Sequence, residues 1–355
     1  MSTLGVIPLI QAAVLEPFIL AARTMGTPLE HMLHSVRLPA RMLDDPGILV
    51  PEQPAWHFVQ EITRKEGEPL FGLQAAFELA HQDIKSLKHL LQGCANLKCL
   101  LKRFCLVVPT QTNSACYVVE EDGEVVWMIQ KGTRLTNIHE QIELFEVAGM
   151  MRLVQLAAGE NWRPPEIHFR SRHCRHINNA ESLNPSRILF SQEYPAIAIP
   201  RKLLPLEVPE LRKKDDLGNR PYVSSPPDTI KEQIQMAVYP YLGEEKLDNQ
   251  LLSDICGMSF RSLQRKLTQC DTSYSEVLDQ ARLRKAQFLL KETEKKMVDI
   301  SLALGYKNAS SFSRTFKRWA GVSPKEYRKL FQPGLGMNHL CIDRAPANDA
   351  RSRVA

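Results

Sequence analysis

Arg261, Gln264 and Arg265 recur at i, i+3 and i+4 in "SFRSLQRKL", so they share one helix face while Leu263 and Leu267 take the other. Arginine bonds bidentately to guanine O6 and N7, and glutamine to adenine N6 and N7, so this trio suits base reading in a major groove. A second set lies in "GYKNASSFSRTFKRWAGVSPKEYRKL", residues 305–330. There Phe312, Phe316 and Trp319 recur at i, i+4 and i+7, a stripe expected to face a core, and Ser311, Arg314, Thr315 and Arg318 take the opposite face. Asn308 is placed to cap that helix, leaving Ala309, Ser310 and Ser311 in its first turn. Small and hydroxylic side chains there let the backbone approach a phosphate or a base edge. Lys266, Lys317 and Arg318 are the residues expected to meet phosphates.

The elements that must position these faces are short and clearly punctuated. "MVDISLALGY" reads as a helix closed by Gly305, and "NQLLSDIC" as one closed at Gly257-Met258, with Ser259 capping the helix that follows. Helix, glycine turn and basic helix make a helix-turn-helix, whose second helix enters the major groove. "SYSEVLDQARLRKAQFLLKE" lies between the two units, with Tyr274, Leu278, Ala281, Lys285 and Phe288/Leu289 at helical spacing. A rod of roughly 18 residues, ~27 Å, suits two recognition helices about one DNA turn apart. "GVSPKEYRKL" follows as a boxed helix, with Ser323 as cap, Pro324 in the first turn and Glu326 closing the box. A single charged helix face is commonly only a solvated face. Two such faces in tandem, each with a turn glycine, a cap and outward arginines, point to nucleic acid.

Charge follows the same division. Residues 229–330 hold 18 Lys and Arg against 12 Asp and Glu, an excess of six in a chain of net charge +5, so the remainder carries one net negative charge. A polyanionic partner is therefore expected for the C-terminal part alone. The 355 residues allow two ordinary domains. "LEVPELRKKDDLGNRPYVSSPPD", residues 206–228, holds Pro209, Pro221, Pro226 and Pro227 beside a charge cluster, a linker composition. The organisation expected is a domain over 1–206, a linker over 207–228, a DNA-binding domain over 229–330 and a loose tail over 331–355.

The N-terminal part mixes helix and strand. Thr27 is expected as N-cap of "TPLEHMLHSV", with Pro28 in the first turn and Glu30 closing a box. Trp56, Val59 and Ile62 sit at helical spacing; "LKHLLQGCANLKCLLKRF" and "QIELFEVAGMMRLVQLAA" read as helix. "SACYVVEEDGEVVWMIQK" reads as a hairpin turning at Asp122-Gly123, and "EIHFRSR" and "YPAIAIP" as further strands. The fold expected is an α+β N-terminal sensor domain followed by an all-α C-terminal domain with two helix-turn-helix units joined by a linker helix. Eight cysteines without a CxxC or a paired framework suit a reducing cytosol. Residues 1–15 lack a basic leader, and Glu16 and Pro17 interrupt them, so neither a signal peptide nor a membrane span is expected.

Residues 229–330 closely resemble the AraC/XylS family of bacterial transcription regulators. The likeness rests on "GMSFRSLQRKL", "ARLRKAQFLL" and "DISLALGYKNASSFSRTFKRWAGVSPKEYR". It implies base contacts at Arg261, Gln264 and Arg265 from the first recognition helix, and at Ala309, Ser310, Ser311 and Arg314 from the second. Ser253 and Ser301 stand where the family usually has alanine, and both are compact enough for the helix contact. Cys256 stands where leucine is usual, which is expected to loosen the first unit slightly. "GEPLFGLQAAF", "LAAGENWRPPEIHF" and "LFSQEYPAIAIPRKLLPLEV" resemble the arabinose-binding-type sensor domain of one branch of the family, with a late strand pair before the linker. The partners implied are double-stranded promoter DNA, a small-molecule effector, a second copy of the chain as homodimer and RNA polymerase. No membrane partner and no cofactor are expected.

Other clusters carry less. His168, His173, Cys174 and His176 invite a metal reading, but no defined ligand turn accompanies them. Cys174 lies between Arg172 and Arg175, yet lacks the Pro-Cys-His context of a methyl-accepting thiol, so an enzyme tethered to DNA is the remote alternative. Asp44, Asp45, Glu120 and Glu121 are adjacent acids in expected turns, and no phosphate-binding GxxxxGK[ST] loop occurs. Trp127 and Trp162 fit a core better than a pocket. The nearer alternative is a ligand-independent regulator whose N-terminal domain only mediates dimer or protein contacts.

Overall fold

A computed structural model describes residues 7–78, 91–131, 140–211, 227, 229–243 and 247–331 of the chain. They fall into two compact units, Met1–Arg282 and Leu283–Ala355. Most of the expected linker, the tail beyond Phe331 and the segment 79–90, which includes the first four residues of the helix expected in "LKHLLQGCANLKCLLKRF", lie outside the described residues.

The first unit opens with a two-stranded antiparallel ladder that local pattern did not announce: β1 (Leu9–Gln11) against β2 (Leu49–Pro51), with Ile10 opposite Val50. Around it pack α1 (Glu16–Thr24), α2 (Leu29–Ser35), α3 (Glu52–Glu66) and α4 (Phe71–Glu78). Trp56, Val59 and Ile62 are buried on α3 as their spacing predicts. The Phe18 ring meets those of Trp56, Phe71 and Phe145 at centroid distances of 6.2, 5.9 and 4.5 Å. The cap expected of Thr27 does not form. Pro28 holds the N-cap position of α2 without a side-chain bond, because the Thr27 hydroxyl donates to Glu66 Oε1 at 2.9 Å instead.

A five-stranded sheet of order β3-β4-β7-β5-β6 forms the second layer. Its strands are β3 (Cys116–Asp122), β4 (Val125–Lys131), β5 (Glu166–His168), β6 (Arg187–Leu189) and β7 (Ala196–Pro200). All neighbours are antiparallel except β5 and β6. The expected hairpin is present, but Asp122 pairs with Val125, so the turn residues are Gly123-Glu124, with Gly123 at φ 58°. The two late strands β6 and β7 do not pair with each other: β5 lies between them. Helices α5 (Leu97–Gln111) and α6 (Glu140–Ala158) share a core with this sheet, including Leu100, Met128, Met151, Ile167 and Ile197. Asn96 starts α5 by accepting the Cys99 amide at 2.9 Å. Helix α4 lies so close to α6 that a Cβ on Gly72 would stand 2.0 Å from the Gln141 carbonyl oxygen, so only glycine fits there.

The remaining described elements are helical. The first unit ends with α7 (Ile230–Val238), α8 (Asn249–Cys256), α9 (Phe260–Thr268) and the start of α10 (Tyr274–Glu292). The second contains the rest of α10, with α11 (Met297–Ala303), α12 (Ala309–Ala320) and α13 (Pro324–Phe331). On α10, Ala281, Lys285 and Leu289 are buried, whereas Phe288 is 54% exposed and drops out of the expected stripe.

Candidate nucleic-acid interface

Both helix-turn-helix units are built with the same backbone device. In the first, Gly257 adopts φ 59°, the Gly257 amide donates to the Asp254 carbonyl at 3.3 Å, and the Met258 amide reaches back to Ser253 at 3.1 Å. In the second, Gly305 adopts φ 80°, its amide donates to Leu302 at 2.9 Å, and the Tyr306 amide donates to Ser301 at 2.9 Å. This paired pattern satisfies the last helical carbonyls and needs a left-handed residue, which glycine supplies without strain. Ser253 and Ser301 supply equivalent carbonyls in the two turns. Ser301 is fully buried, its hydroxyl donating to Val298 O at 2.7 Å, and Ser253 donates to Asn249 O at 2.8 Å. Cys256 is buried in the first core.

The second helix of each unit then begins with a side-chain cap. Ser259 Oγ accepts the Ser262 amide at 3.2 Å to start α9, and Asn308 Oδ1 accepts the Ser311 amide at 2.9 Å to start α12. On α9, Leu263 and Leu267 are buried while Arg261, Gln264 and Arg265 are exposed together. On α12, Phe312 and Phe316 are buried, and Ser310, Arg314, Lys317 and Arg318 are exposed. Ala309, Ser311 and Lys266 are half-buried. Among the described residues, the side chains of Arg261, Gln264, Arg265 and Arg314 enter no hydrogen bond or ion pair, so their donors are open to a ligand. Trp319 departs from its expected place: it is half-buried and outside the core cluster that holds Phe312 and Phe316. That core is completed from α13. The Tyr327 ring lies 5.4 Å from Phe316, and the expected box forms as Ser323 N donates to Glu326 Oε2 at 2.8 Å and Glu326 N donates to Ser323 Oγ at 3.3 Å.

Contacts that no local pattern shows join the first helix-turn-helix to the N-terminal ladder. Ile7, Leu9 and Leu49 belong to the same buried cluster as Ile234, Leu252, Ile255, Leu263 and Leu267. The Ile7 amide donates to Gln233 Oε1 at 2.8 Å, and Asn113 pins the strand by accepting the Leu9 amide at 2.8 Å and donating to Ile7 O at 2.9 Å. At the rim Arg37 Nη1 meets Asp254 Oδ2 at 2.6 Å, and the Arg41 guanidinium lies 5.5 Å from the Tyr239 ring centre.

The histidine and cysteine cluster is not gathered into one place. Cys174 is buried, His173 and His176 are exposed, and His168 Nε2 lies 2.7 Å from Glu166 Oε1 under the Trp127 ring. No group of three His, Cys, Asp or Glu able to share a metal ion occurs among the described residues. The Cys174 thiol is pushed up to about 12 by burial, with a hydrogen bond to Glu140 adding to it, which disfavours the nucleophilic thiolate. No helix among the described residues is long and apolar enough to cross a membrane.

Comparison with known proteins adds to this geometry. Residues 26–208 match the profile of the arabinose-binding domain of AraC transcription regulators, and residues 252–330 match a helix-turn-helix domain profile. The ornithine utilization regulator of Pseudomonas aeruginosa is 41% identical over 71 residues, 20% of this chain and 21% of that protein. The transcriptional activator CsvR of Escherichia coli is 32% identical over 84 residues, 24% of this chain and 32% of that protein. The chain thus spans about a fifth to a third of the length of these curated relatives. The crystal structure of the regulator CdpR from Pseudomonas aeruginosa aligns over 85% of this chain and 96% of its own, at 17% identity and a TM-score of 0.35.

Proposed function

The chain belongs to the AraC family of transcription regulators, and from that premise we propose that it binds promoter DNA sequence-specifically through α9 and α12, under the control of a small effector. The observation that carries this reading is the repeated device: two capped helices, each entered through a positive-φ glycine turn, each presenting exposed arginine opposite a buried apolar face. Arg261, Gln264 and Arg265 on α9, and Ala309, Ser310, Ser311 and Arg314 on α12, are the proposed base contacts. Lys266, Lys317 and Arg318 supply phosphate contacts and with them the salt dependence.

In this reading residues 1–206 sense the effector and dimerise, 207–228 link, 229–330 hold the DNA, and the protein works in the cytoplasm with RNA polymerase as a further partner. Effector binding shifts the population of DNA-competent molecules. The cluster of Ile7, Leu9 and Leu49 with the first helix-turn-helix supports a direct route for that shift. Arg265→Ala and Arg314→Ala are each expected to weaken cognate binding by ~1–3 kcal/mol while leaving random-sequence binding nearly unchanged. Lys317→Ala is expected to weaken all sequences and flatten the salt slope. Anisotropy titrations on cognate and scrambled duplexes check this, and equal losses on both duplexes for the arginine variants refute the base-reading assignment.

A further inference from the structure

Strand β3 is the outer strand of the five-stranded sheet and pairs with β4 alone. The pairing runs residue for residue, from Cys116 opposite Lys131 to Asp122 opposite Val125, with no bulge. Asp122 and Val125 close a two-residue turn, so they exchange backbone hydrogen bonds, and in an antiparallel ladder that role recurs at every second residue. Cys116, Val118 and Glu120 therefore also bond to β4, while Tyr117, Val119 and Glu121 direct their amides and carbonyls away from the sheet. The next strand keeps the same alternation: the Gln130 amide donates to Pro195 O, on the β7 side, at 2.9 Å. Among the described residues no backbone hydrogen bond reaches Tyr117, Val119 or Glu121. Helix α5 meets β3 through side chains on one face, with Phe104 against the Tyr117 ring at 5.0 Å, and pairs with none of this backbone.

The other edges are short or tied down. Strands β2 and β6 have three residues each. So has β1, and Asn113 holds it by accepting the Leu9 amide at 2.8 Å and donating to Ile7 O at 2.9 Å. Strand β3 has seven residues, ~24 Å, with neither proline nor lysine among them. A long open edge of that kind recruits another strand. Its acids stand together at one end, and two are already neutralised: Glu120 pairs with Lys131, and Glu121 lies 2.7 Å from Arg201 and 3.8 Å from Lys98.

We infer that β3 is where a second copy of the chain joins, pairing antiparallel with the partner's β3 about a two-fold axis at Val119, so that one sheet runs through both subunits. This rests on the reading that residues 1–206 dimerise and gives that contact a place. In this register Val119 faces Val119 of the partner subunit, Tyr117 faces the partner's Glu121, and Cys116 faces the partner's Asp122. All three outward residues of each strand are used, for about six backbone hydrogen bonds. Each acid falls opposite an uncharged residue. One pairing step towards the acidic end sets Glu120 opposite its own copy, and parallel in-register pairing sets every acid against itself; like charges directly opposite are destabilising. One step the other way leaves Glu121 beyond the end of the partner's strand. The centred register alone combines full overlap with no facing like charges, and it is isologous, as a closed dimer requires.

Sedimentation velocity of the full chain is expected to give a dimer at micromolar concentration. Val119→Pro removes an outward amide that a lone edge strand does not use, and is expected to weaken dimerisation at least tenfold with the circular dichroism unchanged. A second variant, Asp122→Cys, reads the register directly. Non-hydrogen-bonded neighbours across an antiparallel pair stand ~4.5 Å apart at Cα, within disulfide reach, whereas positions 116 and 122 of one strand lie ~20 Å apart. Oxidised glutathione is therefore expected to link Asp122→Cys to Cys116 of a second copy, and to link neither the wild type nor Asp122→Cys combined with Cys116→Ser. A wild-type chain that stays monomeric overturns both this interface and the dimerising reading. A wild-type dimer in which Asp122→Cys gives no link, or which Val119→Pro leaves intact, overturns the interface and leaves dimerisation standing.

Discussion

The two helix-turn-helix units share a turn and differ in what lies beneath it. The first rests on a core of Leu252, Ile255, Leu263 and Leu267 with Tyr241, which it shares with Ile7, Leu9 and Leu49 from the far end of the chain. The second rests on Phe312 and Phe316, with Tyr306 and Tyr327 against them, together with Leu289, Leu290, Ile300 and Leu304, all gathered from within a short stretch of sequence. The same surface chemistry is therefore carried by a core open to the N-terminal domain in one case and by a local core in the other. Regulation that reaches DNA through packing has its most direct route through the first unit.

Three substitutions sharpen or break that contrast. Phe312→Ala removes a fully buried ring and is expected to cost ~3–5 kcal/mol. Hydrogen exchange should then rise across α11–α13 while α8 and α9 keep their protection; a rise in both would erase the contrast. Leu9→Ala is expected to cost ~2–5 kcal/mol and to loosen α8 and α9, although Leu9 lies more than two hundred residues away in sequence. Protection of α9 unchanged by Leu9→Ala would show that the shared cluster transmits nothing. Arg37→Ala removes an ion pair whose side chains are 47% and 40% exposed, so urea unfolding should move by at most about 1 kcal/mol. A larger loss would make the rim, not the apolar cluster, the main tie.

What was legible in the sequence follows the same line between local and distant. Turn glycines, the Ser259, Asn308 and Ser323 caps, and the inward Leu263 and Phe312 are set by neighbours within a few residues, and each lies where its spacing put it. The exposed Arg261, Gln264, Arg265 and Arg314 follow from the same periodicity. Thr27 was misread because its hydroxyl had a competing partner, Glu66, that no local window contains. Trp319 was misread because the core is closed from α13 by Tyr327. The order of the late strands depends on β5 coming between them.

The central claim is that both recognition helices read DNA, and hydroxyl-radical footprinting of the full chain on a promoter it occupies tests it most directly. The account predicts two protected patches, with Arg265→Ala losing one and Arg314→Ala losing the other. A single patch, or two patches that fade together in either variant, would contradict it.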